Sequence, residues 1–362
     1  MSYVLAFLGF AVLIILHEAG HFVAAKAVGM RVERFSLFFG PLILKRQRGE
    51  TMYGIGVIPL GGYVKITGMN PNEEIPPEVV NRAYYNQPVW KRIVTILAGP
   101  FVNILIAFVL IWVLLLSNGQ QNVVATQQVA LVAKSTPAAA VLKPGDKVVS
   151  VDGVGGSEAA IRGQIESHHC AGVPVNGCLA ATPAHLVVRR DGRLISVSAR
   201  PRYVAADKRV ELGFDFGSRV AGTTYPSVGS AASSSLSYMW FVTHTTVGTI
   251  ARIFEPKDRR QISSVVGGYT VTQESFAQST TRALEVLALI SLSLGVINLF
   301  PFLPLDGGHV FWALAEKVRG RRIPFSVMER AGVVGFALII LLFVIGLSND
   351  ISTLSGKGFG VR

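Results

Sequence analysis

His17-Glu18-Ala19-Gly20-His21 lies inside the apolar run Val4–Val28, and where this pentapeptide sits decides how the chain is read. Residues four apart are neighbours on one face of an α-helix, so H-E-x-x-H brings two imidazoles one turn apart. There they can share a Zn²⁺, with Glu18 between them as a general base toward water. Ionisable side chains are costly in a lipid-facing helix and by default carry function. The first expectation is a zinc hydrolase whose metal lies within a bilayer.

Composition agrees. Hydrophobic residues make up 50% of the chain and charged residues only 15%, and the mean hydropathy is +0.46. That excludes a soluble globule and fits a membrane protein with a soluble portion. About 20 apolar residues cross a ~30 Å hydrocarbon core. Four stretches qualify: Tyr3–Val28, Ile93–Leu116, Ala283–Phe302 and Gly332–Leu347, the last being the shortest. The first reads as a retained span, since neither a basic leader nor a small-residue cleavage site flanks it. Arg31, Arg34, Lys45, Arg46, Arg48, Lys91 and Arg92 crowd the loop between the first two spans. Lys317, Arg319, Arg321, Arg322 and Arg330 do the same between the last two. By the positive-inside rule both loops are cytoplasmic, and the long region from about Ser117 to Thr281 is outside. These flanks and their attraction to anionic lipid account for the net charge of +12; no nucleic-acid-binding module is evident.

The third apolar run leads into Asn298-Leu299-Phe300-Pro301-Phe302-Leu303-Pro304-Leu305-Asp306-Gly307-Gly308-His309. Proline and glycine here imply irregular backbone at membrane depth, which is tolerated only where protein or a water-filled cavity surrounds it. Asp306 is a suitable third metal ligand, because a catalytic zinc takes three protein ligands and leaves a fourth position open. The inferred topology brings both motifs toward the cytoplasmic side. A plain turn is the alternative for Asp306-Gly307-Gly308. Asn298 either caps freed backbone groups or donates to a substrate carbonyl or oxyanion. His309 is left out of the ligand set, since a fourth protein ligand would close the site.

With both motifs in hand, the chain resembles the site-2 protease family of intramembrane zinc metalloproteases, in its bacterial branch that cuts anti-sigma factors. His17-Glu18-Ala19-Gly20-His21 matches that family's H-E-x-x-H; Leu305-Asp306-Gly307 matches its L-D-G, with Asn298 as the asparagine preceding it. Further agreement runs through Met30–Met69, with Phe39-Gly40-Pro41 and Ile58-Pro59-Leu60-Gly61-Gly62-Tyr63-Val64-Lys65, and through Pro88–Asn103, with Ala98-Gly99-Pro100. The chain departs from some members in having one PDZ-like region. Ser263-Ser264-Val265-Val266-Gly267-Gly268 only loosely echoes a Gly-Pro segment of the family. The resemblance implies a single-pass membrane substrate, trimmed beforehand outside, and a membrane-associated sheet that pairs with it once unwound.

The expected architecture is a polytopic α-helical membrane protein of about four transmembrane helices, with a membrane-associated β-sheet and an extracytoplasmic PDZ-like α+β domain. Residues 1–29 form the first span and 30–92 the cytoplasmic β region; 93–117 is the second span and 118–205 the PDZ-like domain. Residues 206–281 form an extracytoplasmic segment, 282–309 the third span, 310–330 a loop, 331–348 the fourth span and 349–362 a tail. Met30–Ile66 reads as short strands punctuated by Gly40-Pro41, Arg48-Gly49 and Gly61-Gly62, either pairing with substrate or plugging the cavity. Ala139–Gly153 resembles the helix-to-strand stretch of a PDZ domain, whose sheet edge takes up an extended peptide. Cys170 and Cys178, outside the membrane, are expected to form a disulfide rather than a metal site. Val247–Phe254 is open between a surface amphipathic helix and a helix that forms a gate or contacts a partner. Two other functions compete: a zinc-dependent transporter, and a PDZ scaffold with a structural metal.

Overall fold

The computed structural model describes residues 1–70, 73–205, 207–253, 255, 259 and 262–355, with backbone only at Pro59, Leu60 and Phe325. Phe254, Pro256–Asp258 and Arg260 beside the apolar cluster, and the end of the C-terminal tail, lie outside the described residues. The elements run α1 (Ser2–Ala27), β1 (Val32–Arg48), β2 (Thr51–Ile66), α2 (Val89–Asn118), β3 (Gln120–Val132), β4 (Lys147–Val151), β5 (Val154–Gly155) and α3 (Glu158–Glu166). There follow β6 (Ala184–Arg190), β7 (Arg193–Ala199), β8 (Arg202–Val204), β9 (Arg209–Glu211) and β10 (Phe214–Thr224). The chain closes with α4 (Val228–Ala251), α5 (Val265–Gln278), α6 (Thr280–Asn298), α7 (Asp306–Arg319) and α8 (Phe325–Ser355). Two units divide it: Met1–Asn118 with Pro226–Arg362, and Gly119–Tyr225.

In the first unit, α1, α2, α6 and the Ser326–Ser355 part of α8 are long and apolar enough to cross a bilayer. α2 is the hub, packing against α1, α4, α6 and α7. Its internal Pro100 is tolerated because neighbouring helices can satisfy the freed carbonyl. The third helix stops at Asn298 rather than Phe302, and the residues up to Leu305 form turns before α7 begins at Asp306. The fourth is not the short span expected at Gly332–Leu347 but a helix of 31 residues. Apolarity ends at Asn349 and Asp350, yet the helix continues because both side chains have partners. Asp350, only 2% exposed, accepts from Ser264 N at 2.8 Å, Gly267 N at 2.9 Å and the hydroxyls of Ser263 and Ser264. It thereby satisfies the free amides that open α5. Asn349 donates to the carbonyls of Arg259 and Ile262. α4 takes in Met239-Trp240-Phe241-Val242 and residues 247–251 of the apolar cluster, burying Ala231, Ser235 and Met239 at four-residue spacing. It packs on α2 and α6, so through residue 251 it is part of the helix bundle rather than detached from it.

The β region after α1 differs from a string of short strands. β1 and β2 are a single long hairpin turned at Gly49, whose φ is +59°. Irregularities around Phe38 (φ +69°) and Gly40 (φ +85°) fold that hairpin onto itself. Tyr53 pairs with both Arg46 and Phe35, and Phe35 pairs with both Tyr53 and Val64. The result is four rungs in the order 42–48, 51–56, 32–37 and 62–66. Lys26 at the end of α1 and Arg82 both bind Glu50 beside the turn, at 2.6–2.8 Å. The Arg82 hydrogen bonds, aided by Lys26, pull the Glu50 carboxyl down to about 2. It therefore stays ionised at neutral pH, tying the hairpin to the end of the first span.

In the second unit the sheet runs β10-β3-β4-β6-β7, with β5 beside β4. Val129, Val148, Leu186 and Val188 from the sheet pack with Ile161 and Ile165 of α3 and with Phe214. Ser157 caps α3 by accepting from Ala160 N. Asp146, after Pro144-Gly145, accepts from Lys143 N and twice from Arg190 of β6. Those Arg190 bonds hold its carboxyl below the usual range. The unit extends to Tyr225, beyond the expected limit at residue 205, because β10 returns to pair with β3 along its length. Cys170 and Cys178 are joined as a disulfide.

Candidate active site

α1 puts His17 and His21 on one face, each 7% exposed, with their Nε2 atoms 3.2 Å apart. Asp306, the first residue of α7, sets its Oδ2 at 3.3 Å from both nitrogens. The negative end of a carboxylate is favoured at a helix N-terminus, so α7 suits its position. Three lone-pair atoms thus form a nearly equilateral triangle. A tetrahedral zinc with bonds of about 2.0–2.1 Å requires ligand-to-ligand edges of about 3.3–3.4 Å. Asp306 Oδ2 is also buried without a hydrogen-bond partner, a cost that a cation removes. Two imidazoles and a carboxylate are donors suited to zinc, and the residues fit it. They are the one such group among the described residues, and His309 is not part of it.

Glycine makes this convergence possible. A Cβ at Gly20 would stand 2.6 Å from the Ala98 carbonyl oxygen, so α1 and α2 touch backbone to backbone. A Cβ at Gly99 would collide with the His21 ring, whose Nε2, Cε1 and Cδ2 are its nearest atoms. At Gly308 it would lie 2.5 Å from Leu303 N, and at Gly307 it would strike the Leu299 carbonyl. Gly307 and Gly308 therefore let the 299–305 turns press against the start of α7. Glu18 faces the hairpin: a Cβ at Gly62 would be 3.0 Å from Glu18 Cγ, and the Val64 amide points at its carboxylate. The rung 62–66 is an outer one, so an edge of the sheet borders Glu18.

α2 orients both imidazoles. His21 Nδ1 lies 2.9 Å from the Thr95 carbonyl, where only its N–H can donate, leaving Nε2 free for a metal. His17 Nδ1 lies 3.0 Å from the side-chain amide of Asn103. Neither Thr95 nor Asn103 stood out in the sequence, although a polar residue within an apolar span is itself a signal. Asn298 is half-buried at the end of α6, just before the 299–305 turns. It is not one of the three converging groups. A largely apolar cleft of about 530 Å³ opens between α2, α4 and α6, lined by Ile104, Met239, Trp240 and Val296. It reaches Leu299–Pro301, on the way to Asp306.

The arrangement is that of a hydrolytic metal centre, and comparison with known proteins agrees. The model of peptidase family M50 matches residues 5–342. Metalloprotease MmpA of Caulobacter vibrioides is 31% identical, over 94% of this chain and 93% of its own. Zinc metalloprotease Rip1 of Mycobacterium bovis is 30% identical, over 87% of this chain and 86% of its own. A matched family model spanning nearly the whole chain, four helices able to span a membrane and a zinc-fitting triad lead to one assignment: the chain belongs to peptidase family M50, the site-2 proteases, and is a multi-pass membrane zinc metalloprotease.

Proposed function

We propose that His17, His21 and Asp306 hold the zinc and that Glu18 is the general base in hydrolysis of a peptide bond within a substrate's transmembrane segment. The observation that carries this reading is the position of Glu18, half-buried in the first span between the two ligand histidines and bordered by a sheet edge. Bound there, zinc would supply Lewis acidity and lower the pKa of a water toward about 7. Glu18 takes a proton from the attacking water and returns it to the leaving amine. A transmembrane helix hides its peptide bonds within its own hydrogen bonds, so the substrate must unwind. The rung 62–66 offers backbone groups to which an extended segment can add as a strand. The apolar cleft between α2, α4 and α6 suits the part of the substrate that stays helical. Asn298 donates to the scissile carbonyl or adjacent backbone.

The substrate is a single-pass membrane protein trimmed beforehand outside, and the resemblance to the bacterial branch supports an anti-sigma factor. The enzyme sits in the inner or plasma membrane with its site toward the cytoplasm and residues 119–225 outside, on the strength of its basic loops. Those residues act as a PDZ-like gauge of the trimmed end. Leu212-Gly213 leads into β10 at Phe214, and no other described strand covers the outer edge of β10. A cleft of about 160 Å³ lies between α3 and residues 209–216. Extended peptides add to such edges.

The test is cleavage of single-pass substrates by the purified enzyme in lipid vesicles, with product termini read by mass spectrometry. New termini inside the apolar segment are expected; termini only in the soluble flanks would contradict intramembrane cleavage.

A further inference from the structure

Asn103 is fully buried, at 0% exposure, in the middle of α2. Its neighbours along the helix are apolar, and a buried amide there is unfavourable unless it is used. Its backbone carbonyl is taken by the Ser291 hydroxyl of α6 at 2.8 Å. The side chain has one partner among the described residues, His17 Nδ1 at 3.0 Å, and its Oδ1 has none. The one hydrogen bond that this costly buried side chain makes is therefore directed at a metal-facing imidazole. Gly295 of α6 fixes its position from the other side: a Cβ there would lie 3.4 Å from Asn103 Cβ and 3.1 Å from the Pro100 carbonyl oxygen.

We propose that Asn103 is the positioning residue for His17, holding its ring so that Nε2 faces the zinc. The two histidines would then be oriented alike, His21 by the Thr95 carbonyl and His17 by this amide, both from α2. When Nε2 gives its lone pair to a metal, the ring proton of a neutral imidazole resides on Nδ1. An asparagine can meet either state. Its NH₂ donates to a bare Nδ1, and after a half-turn of the amide its carbonyl accepts from Nδ1–H. With Nε2 turned to zinc, Oδ1 is the amide atom that meets the Nδ1–H of His17. The inference rests on the ligand triad, not on where the substrate is cut, so its test measures metal rather than proteolysis.

The experiment compares wild type, Asn103→Leu and Asn103→Asp, purified in detergent, by zinc competition against a chromophoric chelator and by the absorption spectrum of the Co²⁺-loaded protein. Leucine keeps the volume and removes the hydrogen bond; aspartate keeps an acceptor. Loss of such a second partner typically costs 10–100-fold in metal affinity. Asn103→Leu is expected to weaken zinc binding by that factor and alter the Co²⁺ spectrum, while Asn103→Asp stays near wild type. Wild-type affinity in Asn103→Leu, or equal loss in both variants, would reduce Asn103 to packing and overturn the proposal. Should the variants misfold, the wild type labelled with ¹⁵N-histidine and loaded with Cd²⁺ decides. A ring proton on His17 Nδ1 supports the proposal, and one on Nε2 ends it.

Discussion

Gly99→Ala is expected to empty the metal site while removing no ligand. The added methyl falls on the His21 ring, closest to the nitrogen aimed at Asp306. His21 could move away only by giving up its bond to the Thr95 carbonyl and its place in the triangle. A two-ligand remnant binds zinc far more weakly than a preorganised triad, by well over the 10–100-fold lost with an orienting partner. Metal analysis after dialysis should find near-background zinc, and cleavage should vanish with it. Full zinc in a folded Gly99→Ala protein would mean that the close helix contact does not position His21.

Arg92→Met should be among the most destabilising single changes outside the site. Arg92, 3% exposed, bonds Glu316 of α7 at 3.0 Å and lies 5.9 Å from the Tyr84 and Tyr85 rings. Removing one partner of a buried pair strands the other charge, at about 3–5 kcal/mol, whereas replacing both with apolar groups is often neutral. Arg92→Met is therefore expected to lower the thermal unfolding midpoint in detergent sharply, and Arg92→Met with Glu316→Leu to recover most of the loss. Because α7 begins at Asp306, the single variant should also bind zinc less tightly. Equal midpoints for the single variant and wild type would show that this pair does not anchor α7.

What was legible in the sequence follows from which signals are local. H-E-x-x-H could be read because helical spacing alone puts its side chains on one face. Asp306 could be read because Pro301, Pro304, Gly307 and Gly308 announce a break after an apolar run. The hairpin's punctuation was visible too, since the four rungs meet near Gly40-Pro41, Arg48-Gly49 and Gly61-Gly62. Their order was not, because each central rung pairs on both sides. α8 outran its hydropathy because Asp350 is neutralised in effect by amides of α5, some 83 residues earlier. β10 lay beyond the expected domain end because its partner β3 is distant in sequence. Asn103 looked like part of the Ala98-Gly99-Pro100 stretch until helix packing brought it to His17.

The most direct test of the account is zinc content and cleavage of a single-pass substrate, measured together on wild type and Glu18→Gln. Glutamine preserves shape and leaves His17, His21 and Asp306 untouched, so zinc should remain at wild-type stoichiometry. Without the carboxylate to take the proton, cleavage should fall at least ~10²–10⁴-fold. Zinc retained with cleavage lost is the predicted result. Equal cleavage by both proteins would contradict Glu18 as the base and, with it, the hydrolytic mechanism assigned to this site.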